Sequence, residues 1–187
     1  MVTKYMFFTD RLFIREWKES DSRLLYEYGS DCKVGPPAGW FVHSSQKQSL
    51  NIIKYVLKTE GQFAITKVNS PNEIIGSISI FPVTYDIEDN KEEVMEIGYW
   101  LGRPFWGNGY IPEAVNEILR YLFEDLDKKA VYLRHYSENL KSKRVREKCG
   151  FTYLFTMEND YQPLIKEYKD HVVNRITKDE WIKHKKR

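Results

Sequence analysis

The residues most suggestive of chemistry are Gly107, Asn108 and Gly109, which stand between an apolar segment and an amphipathic one. Residues 94–101 have the apolar character of a strand, and apolar residues then recur at helical spacing over 111–123. Glycine permits a positive φ and close approach of a ligand, and a helix N-terminus offers free N–H groups to phosphate. The pattern predicts a strand, a glycine turn and a helix that together cradle a pyrophosphate. Glycines needed only for turn geometry would give the same pattern.

Four segments, in order, resemble the GNAT N-acetyltransferase superfamily. EIGYWLGRPFWGNGYIPEA (96–114) is similar to its acetyl-CoA loop, and residues 139–151 are similar to its N-x-x-S and K-x-G-F segment. Residues 9–17 and 170–181 resemble the ends of the RimJ/RimL-like branch, the ribosomal-protein N-terminal acetyltransferases. The resemblance implies a single GNAT domain over 1–187 that moves an acetyl group from acetyl-CoA to a primary amine, first of all a protein N-terminal α-amine.

The resemblance also implies how acetyl-CoA is held. The loop amides would cradle the pyrophosphate, strand-edge groups would pair with the pantetheine arm, and basic side chains would meet the 3′-phosphate. Asn139 is equally well explained as a helix cap, and the basic residues as a solvated helix face. Two positions depart from the family. Pro104 stands where much of the family has Gln or Arg, and Arg146 stands where many members have Tyr. The expected cofactor-binding residues are Trp100, Leu101, Trp106, Gly107, Asn108, Gly109, Tyr110, Ile111, Asn139, Ser142, Lys143 and Arg144.

Direct attack of the amine on the thioester in a ternary complex needs a base and a proton donor. The family often has a carboxylate at the position of Glu96, which would take the amine's proton directly or through water. A structural ion pair with an arginine such as Arg15 is the alternative. Ser142 is the candidate hydroxyl donor to the leaving sulfur, or else a small residue that permits close packing. Trp40, His43 and Tyr99 are expected to shape the acceptor pocket, with packing as the alternative for His43.

The composition indicates one globular domain of 187 residues, with 42% hydrophobic and 15% aromatic residues. The net charge of +2, from 29 basic and 27 acidic residues, does not indicate a nucleic-acid binder. Cys32 and Cys149 are too few and too distant for a disulfide framework, and no ligand spacing predicts a metal. No signal-peptide or membrane-spanning run is evident, so we expect a soluble, cytoplasmic protein.

The fold class that we predict is α/β, a GNAT fold with a mixed, splayed sheet of about six to seven strands and helices on both faces. The central strands should include a parallel pair. Helices are expected from Ser20 or Asp21, over 44–58, after the glycine turn, and over 140–148. The strands are expected over 11–17, 62–68, 73–83, 94–101, 130–135 and 171–176 and from Phe151, with a turn at Ser70-Pro71-Asn72.

Burial and terminal structure are predicted from the same periodicity. The tail from Lys183 to Arg187 is expected to be a solvated end. Leu50, Ile53, Val56 and Leu57 are expected to face inward. The predicted core members are Leu12, Ile65, Ile78, Ile97, Leu133 and Phe151.

Two other functions stay open at this point. An acidic groove formed by residues 86–93 would favour a polyamine or aminoglycoside acceptor, whereas a neutral groove would favour a peptide. A non-catalytic acyl-CoA sensor would keep the loop but lack a working acid and base. Proteins that resemble this chain are often homodimers, which the resemblance therefore implies as a possibility here.

Overall fold

The computed structural model describes residues 6–186, which contain eight strands and five α-helices. The helices are α1 (Ser22–Gly29), α2 (Gln46–Ile52), α3 (Tyr110–Arg120), α4 (Leu140–Lys148) and α5 (Lys178–Lys185). The strands are β1 (Phe7–Phe8), β2 (Leu12–Glu16), β3 (Gln62–Lys67), β4 (Ser70–Phe81), β5 (Val94–Leu101), β6 (Ala130–Tyr136), β7 (Thr152–Gln162) and β8 (Glu167–Thr177). Their order in the sheet is β1-β2-β3-β4-β5-β6-β8-β7.

The mixed α/β class and the parallel pair are confirmed, because β5 and β6 are parallel and the neighbouring pairs β2–β3 and β6–β8 are antiparallel. The sheet has eight strands where we expected six or seven. The additional strand is β1, whose two residues pair with Phe13 and Ile14 of β2. Two residues are too few to leave a periodic signal in the sequence.

The chain forms two compact units, and β4, β5 and α3 each run from one into the other. The first unit contains the residues up to Ser79 together with 99–117, and the second contains 80–98 and 118–187. All six predicted core residues are buried, three in each unit. Alternating apolar residues on strands must be buried for the sheet to form, which is why periodicity alone identified them.

In the first unit, a buried cluster that includes Trp17, Leu25 and Ile53 joins helix α1 to the residues that directly follow β2 and α2. Ser45 caps α2 by accepting a hydrogen bond from the amide of Gln48. The expected inward position of Val56 is wrong, since it is 55% exposed. Residues 53–57 form a π-helical turn, and the changed spacing rotates Val56 out to solvent.

The turn between β3 and β4 begins two residues earlier than predicted. Lys67 pairs with Ser70, so Val68 and Asn69 make a two-residue hairpin turn. Pro71 then falls where the register shifts between Ser70 and Ile74, and a bulge of this kind does not require the N–H that proline lacks.

In the second unit, the parallel pairing joins Val94–Ile97 to Ala130–Leu133. The last three residues of β6, 134–136, extend beyond that pairing, while β8 pairs with all of β6. Helix α4 has the predicted bounds of 140–148. Its N-cap, Asn139, accepts a hydrogen bond from the amide of Ser142 at 3.1 Å.

The tail is exposed to solvent at Lys183, Lys185 and Lys186, as expected, but residues 183–185 are not an irregular end, because they belong to helix α5. Thr177 and Glu180 form a capping box at its start. Trp181 is buried against Phe123, with ring centroids 5.3 Å apart, and anchors the helix. Arg187, the last residue of the predicted tail, lies outside the described residues, as do residues 1–5.

Candidate active site

The predicted glycine turn connects β5 to α3 in the first unit, after a 3₁₀ turn at Arg103–Phe105. Gly107 and Gly109 have φ of +81° and +78°, a backbone conformation in which other residues are strained. A Cβ added at Gly107 would meet nothing within 4 Å. The glycine is therefore required by its conformation, and the space beside it is open.

Side chains of the loop hold the turn in shape. Trp106 donates its indole N–H to the carbonyl of Leu101 at 2.7 Å, and Asn108 donates to the carbonyls of Phe105 and Trp106. The Trp106 amide bonds to the carbonyl of Arg103 at 3.2 Å. Its N–H is thus engaged inside the loop, and the predicted cradle narrows to the amides from Gly107 to Ile111.

Arg11 clamps this turn to the start of α3. Its Nη1 donates to the carbonyl of Asn108 at 3.0 Å, and its Nε donates to Oε2 of Glu113 at 2.6 Å. The guanidinium also lies over the ring of Tyr110, 4.8 Å from its centroid, and Thr9 donates to Glu113. Sequence analysis missed Arg11, because nothing local connects it to a loop about a hundred residues away.

The residues predicted for the acceptor pocket lie in the first unit. Trp40 packs its ring edge against Trp100, with centroids 6.0 Å apart, and also contacts His43. His43 is buried, bonds through Nδ1 to Ser49 Oγ at 2.8 Å, and lies directly over Gly29. Burial lowers the pKa of His43. These are the contacts of a packing residue, whereas Trp40 and Tyr99 are only half-buried.

The second unit holds Glu96, whose side chain is 3% exposed. Its partner is Arg134, which donates Nε to Glu96 Oε1 at 2.6 Å, and not Arg15, which we named as an example. Arg15 instead forms a bidentate ion pair with Asp21 in the first unit. The partner of Glu96 follows from strand register, because Glu96 lies opposite Tyr132 on β6, two residues before Arg134.

Burial raises the pKa of Glu96, and the charge of Arg134 opposes that shift. Among the described residues, neither Oε2 of Glu96 nor the hydroxyl of Tyr85 makes a hydrogen bond of normal geometry. The Tyr85 hydroxyl nevertheless interacts with the Glu96 carboxylate, which lowers the pKa of Glu96, and burial followed by the charge of Glu96 raises the pKa of Tyr85. Arg134 lies over the Tyr85 ring at 4.4 Å. One carboxylate oxygen is thus fixed by an arginine, while the other lies near a tyrosine hydroxyl and retains acceptor capacity.

The α4 residues lie in the same unit. The capping role foreseen for Asn139 is confirmed. Ser142 is half-buried in the first turn, and Lys143 and Arg144 are exposed on the helix. Arg146, at the position where many family members have tyrosine, pairs with Glu147 at 3.1 Å.

Within residues 6–186, no group of three or more histidine, cysteine or acidic side chains is arranged to hold a metal ion. None of the helices in that range is long and apolar enough to cross a membrane.

Comparison with known proteins places this geometry in a family. The model of the acetyltransferase (GNAT) domain matches residues 11–152. The uncharacterized N-acetyltransferase p20 of Bacillus licheniformis is 29% identical over 149 residues, which are 77% of this chain and 80% of that protein. The FsC-acetyl coenzyme A-N(2)-transacetylase of Aspergillus fumigatus is 32% identical over 108 residues, 56% of this chain. The alignment spans only 45% of that relative's length.

The fold also matches that of solved structures. Mycobacterium smegmatis RimJ, crystallised in complex with CoA-disulfide, superposes with a TM-score of 0.72 and 19% identity, covering 90% of this chain and 83% of that one. The glycine turn, the parallel β5–β6 pair and the matched family model agree. The chain belongs to the GNAT family of acetyltransferases and is an acetyl-CoA-dependent N-acetyltransferase.

Proposed function

We propose that the acceptor is the α-amine of a protein or peptide N terminus, as the RimJ/RimL-like resemblance implies. The observation that carries this choice is that Glu96 and Asp89, the two acids between residues 86 and 96 that turn inward, are both paired with arginines. Glu96 pairs with Arg134 at 2.6 Å, and Asp89 pairs with Arg175 at 3.1 Å. A polyamine or aminoglycoside carries several positive charges and needs several unpaired acids, whereas a peptide N terminus carries one.

Asp89 is also the residue of the predicted acidic groove that turns inward. It accepts a hydrogen bond from the hydroxyl of Tyr132 at 2.8 Å in addition to the arginine. The neighbouring acids Asp86, Glu88, Glu92 and Glu93 are exposed. Because the arginine offsets the negative charge of Asp89, this carboxylate attracts a polycation only weakly, which favours the peptide as acceptor.

For the co-substrate, we propose that the amides from Gly107 to Ile111 bind the pyrophosphate. The backbone of Trp100 and Leu101 would pair with the pantetheine arm. In the second unit, Asn139 and Ser142 would contact that arm, and Lys143 and Arg144 would meet the 3′-phosphate as charge-assisted donors. The bound co-substrate supplies an acetyl thioester, which is the electrophile of the reaction.

For the chemistry, we propose that Glu96 draws the proton from the amine, directly or through water. Its Oε2 is the oxygen with unused acceptor capacity, and a raised pKa brings a carboxylate closer to the range of an effective base. The amine nitrogen then attacks the acetyl carbonyl directly. The Ser142 hydroxyl would donate to the departing sulfur.

Thiol release from acetyl-CoA tests this proposal, using N-terminal peptides, polyamines and aminoglycosides at matched pH. We expect the largest kcat/KM with a peptide. Turnover with polyamines or aminoglycosides alone would overturn the assignment of the acceptor. If none of the acceptors gives thiol release while calorimetry shows tight acetyl-CoA binding, the result would point to the sensor alternative.

A further inference from the structure

A second group with proton-accepting chemistry lies in the β7–β8 hairpin. Nδ1 of His171 lies 2.9 Å from Oδ2 of Asp160, and the side-chain amide of Gln162 donates to the same oxygen at 2.8 Å. Since a carboxylate only accepts, Nδ1 carries the proton of the neutral imidazole and Nε2 carries the lone pair. This carboxylate–imidazole arrangement orients a general base in many enzymes.

Strand register places this dyad on the same sheet face as Glu96. Antiparallel pairing puts His171 opposite Tyr136, and the two rings are tilted by 30° with centroids 4.8 Å apart. Arg134 is two residues before Tyr136 on β6 and therefore points to the same side. Glu96, which Arg134 binds, is opposite Tyr132 on that side.

The dyad also lies beside an unpaired length of backbone in the second unit. The pairing of β6 with β5 ends at Leu133, so Arg134 and Tyr136 belong to the part of β6 beyond it. An extended peptide can add to such an edge through its main chain. The ring of Tyr136 and the imidazole of His171 lie next to that edge.

The charges that face His171 come from three elements. Arg134 lies on β6, Glu138 follows β6, and Asp160 lies on β7. Glu138 is paired with Lys169 at 3.0 Å, and Arg134 is paired with Glu96. Among the described residues, Asp160 has no lysine or arginine partner, so the face keeps one unmatched negative charge beside His171. One α-ammonium would balance it.

We infer that His171, oriented by Asp160, is a further catalytic residue that accepts a proton from the acceptor ammonium. This inference rests on the proposed function, because it needs an amine acceptor on this face. The N–H bond of the ammonium breaks, the Nε2–H bond of His171 forms, and the nitrogen keeps the electron pair. That pair forms the bond to the acetyl carbon as the C–S bond breaks. The nitrogen's second proton goes to Glu96, and the CoA sulfur takes the proton of the Ser142 hydroxyl, which a proton from solvent replaces.

The local environment suits this role. Burial lowers the pKa of His171, and the charge of Arg134 lowers it further, while Asp160 opposes both. The imidazole is then neutral near pH 7 and ready to accept a proton. Once it is charged, Asp160 stabilises the imidazolium. The Asp160 side chain is 32% exposed, which gives the proton a route to water.

The test compares His171→Gln with His184→Gln, a matched change in helix α5 whose imidazole bonds to the carbonyl of Lys148. We expect His171→Gln to lower kcat at pH 7 about 100-fold or more, the range of general-base catalysis, and to leave acetyl-CoA affinity unchanged. Its log kcat should rise with pH until the amine itself loses its proton. With a matched acceptor whose amine has a low pKa, His171→Gln should lower kcat by less than about tenfold, because that amine already lacks its proton at pH 7.

Equal losses with both acceptors, or a wild-type pH profile in His171→Gln, would overturn the inference. Glu96→Gln run in parallel identifies the other candidate base, and a change of pH profile in that variant alone would also count against His171. Wild-type turnover with the acceptor panel is measured first. Failure of the proposed function is thus visible before any variant is compared.

A second measurement does not depend on variants that fold. Nitrogen NMR of the wild-type imidazoles reports which ring nitrogen carries the proton. We expect the imidazole of His171 in the wild type to have its proton on Nδ1. A proton on Nε2 in the wild type would contradict the dyad and remove the base.

Discussion

Glu113, in the first turn of α3, is bound by Arg11, which precedes it by 102 residues. The same guanidinium donates to the carbonyl of Asn108, so one side chain joins the N-terminal strands, the glycine turn and the helix start. Hydrogen bonds from Thr9 and Arg11 outweigh the effect of burial and lower the pKa of Glu113. Its contribution to stability is therefore present above the ordinary pKa of a glutamate and is lost as pH falls through the lowered value.

Arg11→Gln should weaken acetyl-CoA binding by about fivefold, which corresponds to about 1 kcal/mol for hydrogen bonds of a half-exposed arginine. The loop would lose its clamp, while kcat at saturating acetyl-CoA should stay near the wild-type value. Calorimetry and steady-state kinetics measure the two quantities. Arg23→Gln, which breaks only an exposed ion pair with Glu27, is the control. Unchanged affinity in Arg11→Gln would show that the turn holds its shape without the clamp.

Gly107→Val should abolish measurable acetyl-CoA binding while the protein stays folded. Nothing stands within 4 Å of the new Cβ, so the protein itself bears only the strain of a positive φ, about 1–2 kcal/mol. Gly61→Val is a matched control, since Gly61 has the same φ of +81° just before β3. Both variants should lose similar thermal stability, and only Gly107→Val should lose binding. Retained affinity would exclude the loop as the pyrophosphate cradle.

Glu96→Gln should lower kcat about 100-fold with little change in the KM for acetyl-CoA, because it removes the proposed base. The wild-type carboxyl also has a pKa raised by burial, so its folded form binds a proton more tightly than its unfolded form. Stability should therefore fall as pH rises through that pKa, and this step should be absent from Glu96→Gln. Thermal unfolding across pH measures it. A wild-type kcat in Glu96→Gln would show that Glu96 is not the base and serves only as the ion-pair partner of Arg134.

Asp21→Ala should destabilise the protein by about 3–5 kcal/mol, because it leaves the guanidinium of Arg15 buried without its carboxylate. The pair is bidentate, with both N–O distances at 2.8 Å, and Arg15 is 3% exposed. Denaturant unfolding gives the free-energy difference. The exposed Arg23–Glu27 pair supplies the comparison, and Glu27→Ala should cost less than about 0.5 kcal/mol. Similar losses in the two variants would contradict the importance of burial.

Local chemistry explains what was predictable from the chain alone. The need for glycine at positions 107 and 109 is a property of their own backbone angles, and Asn139 caps a helix that begins one residue later. Buried strand residues such as Ile65 and Leu133 follow from alternation within a few residues. Each of these features depends on neighbours in sequence, so a motif or a period is enough to reveal it.

Pairing between distant residues required the folded chain. Arg134 and not Arg15 binds Glu96, because the β5–β6 register decides which side chains meet across the sheet. Arg11 meets Glu113, and His171 meets Asp160 across a hairpin whose register shifts between Met157 and Asp160. The family, the glycine turn and the core are therefore readable from the chain itself. Which charged side chains meet depends on how the strands align in the folded protein, because an ion-pair partner follows no sequence period.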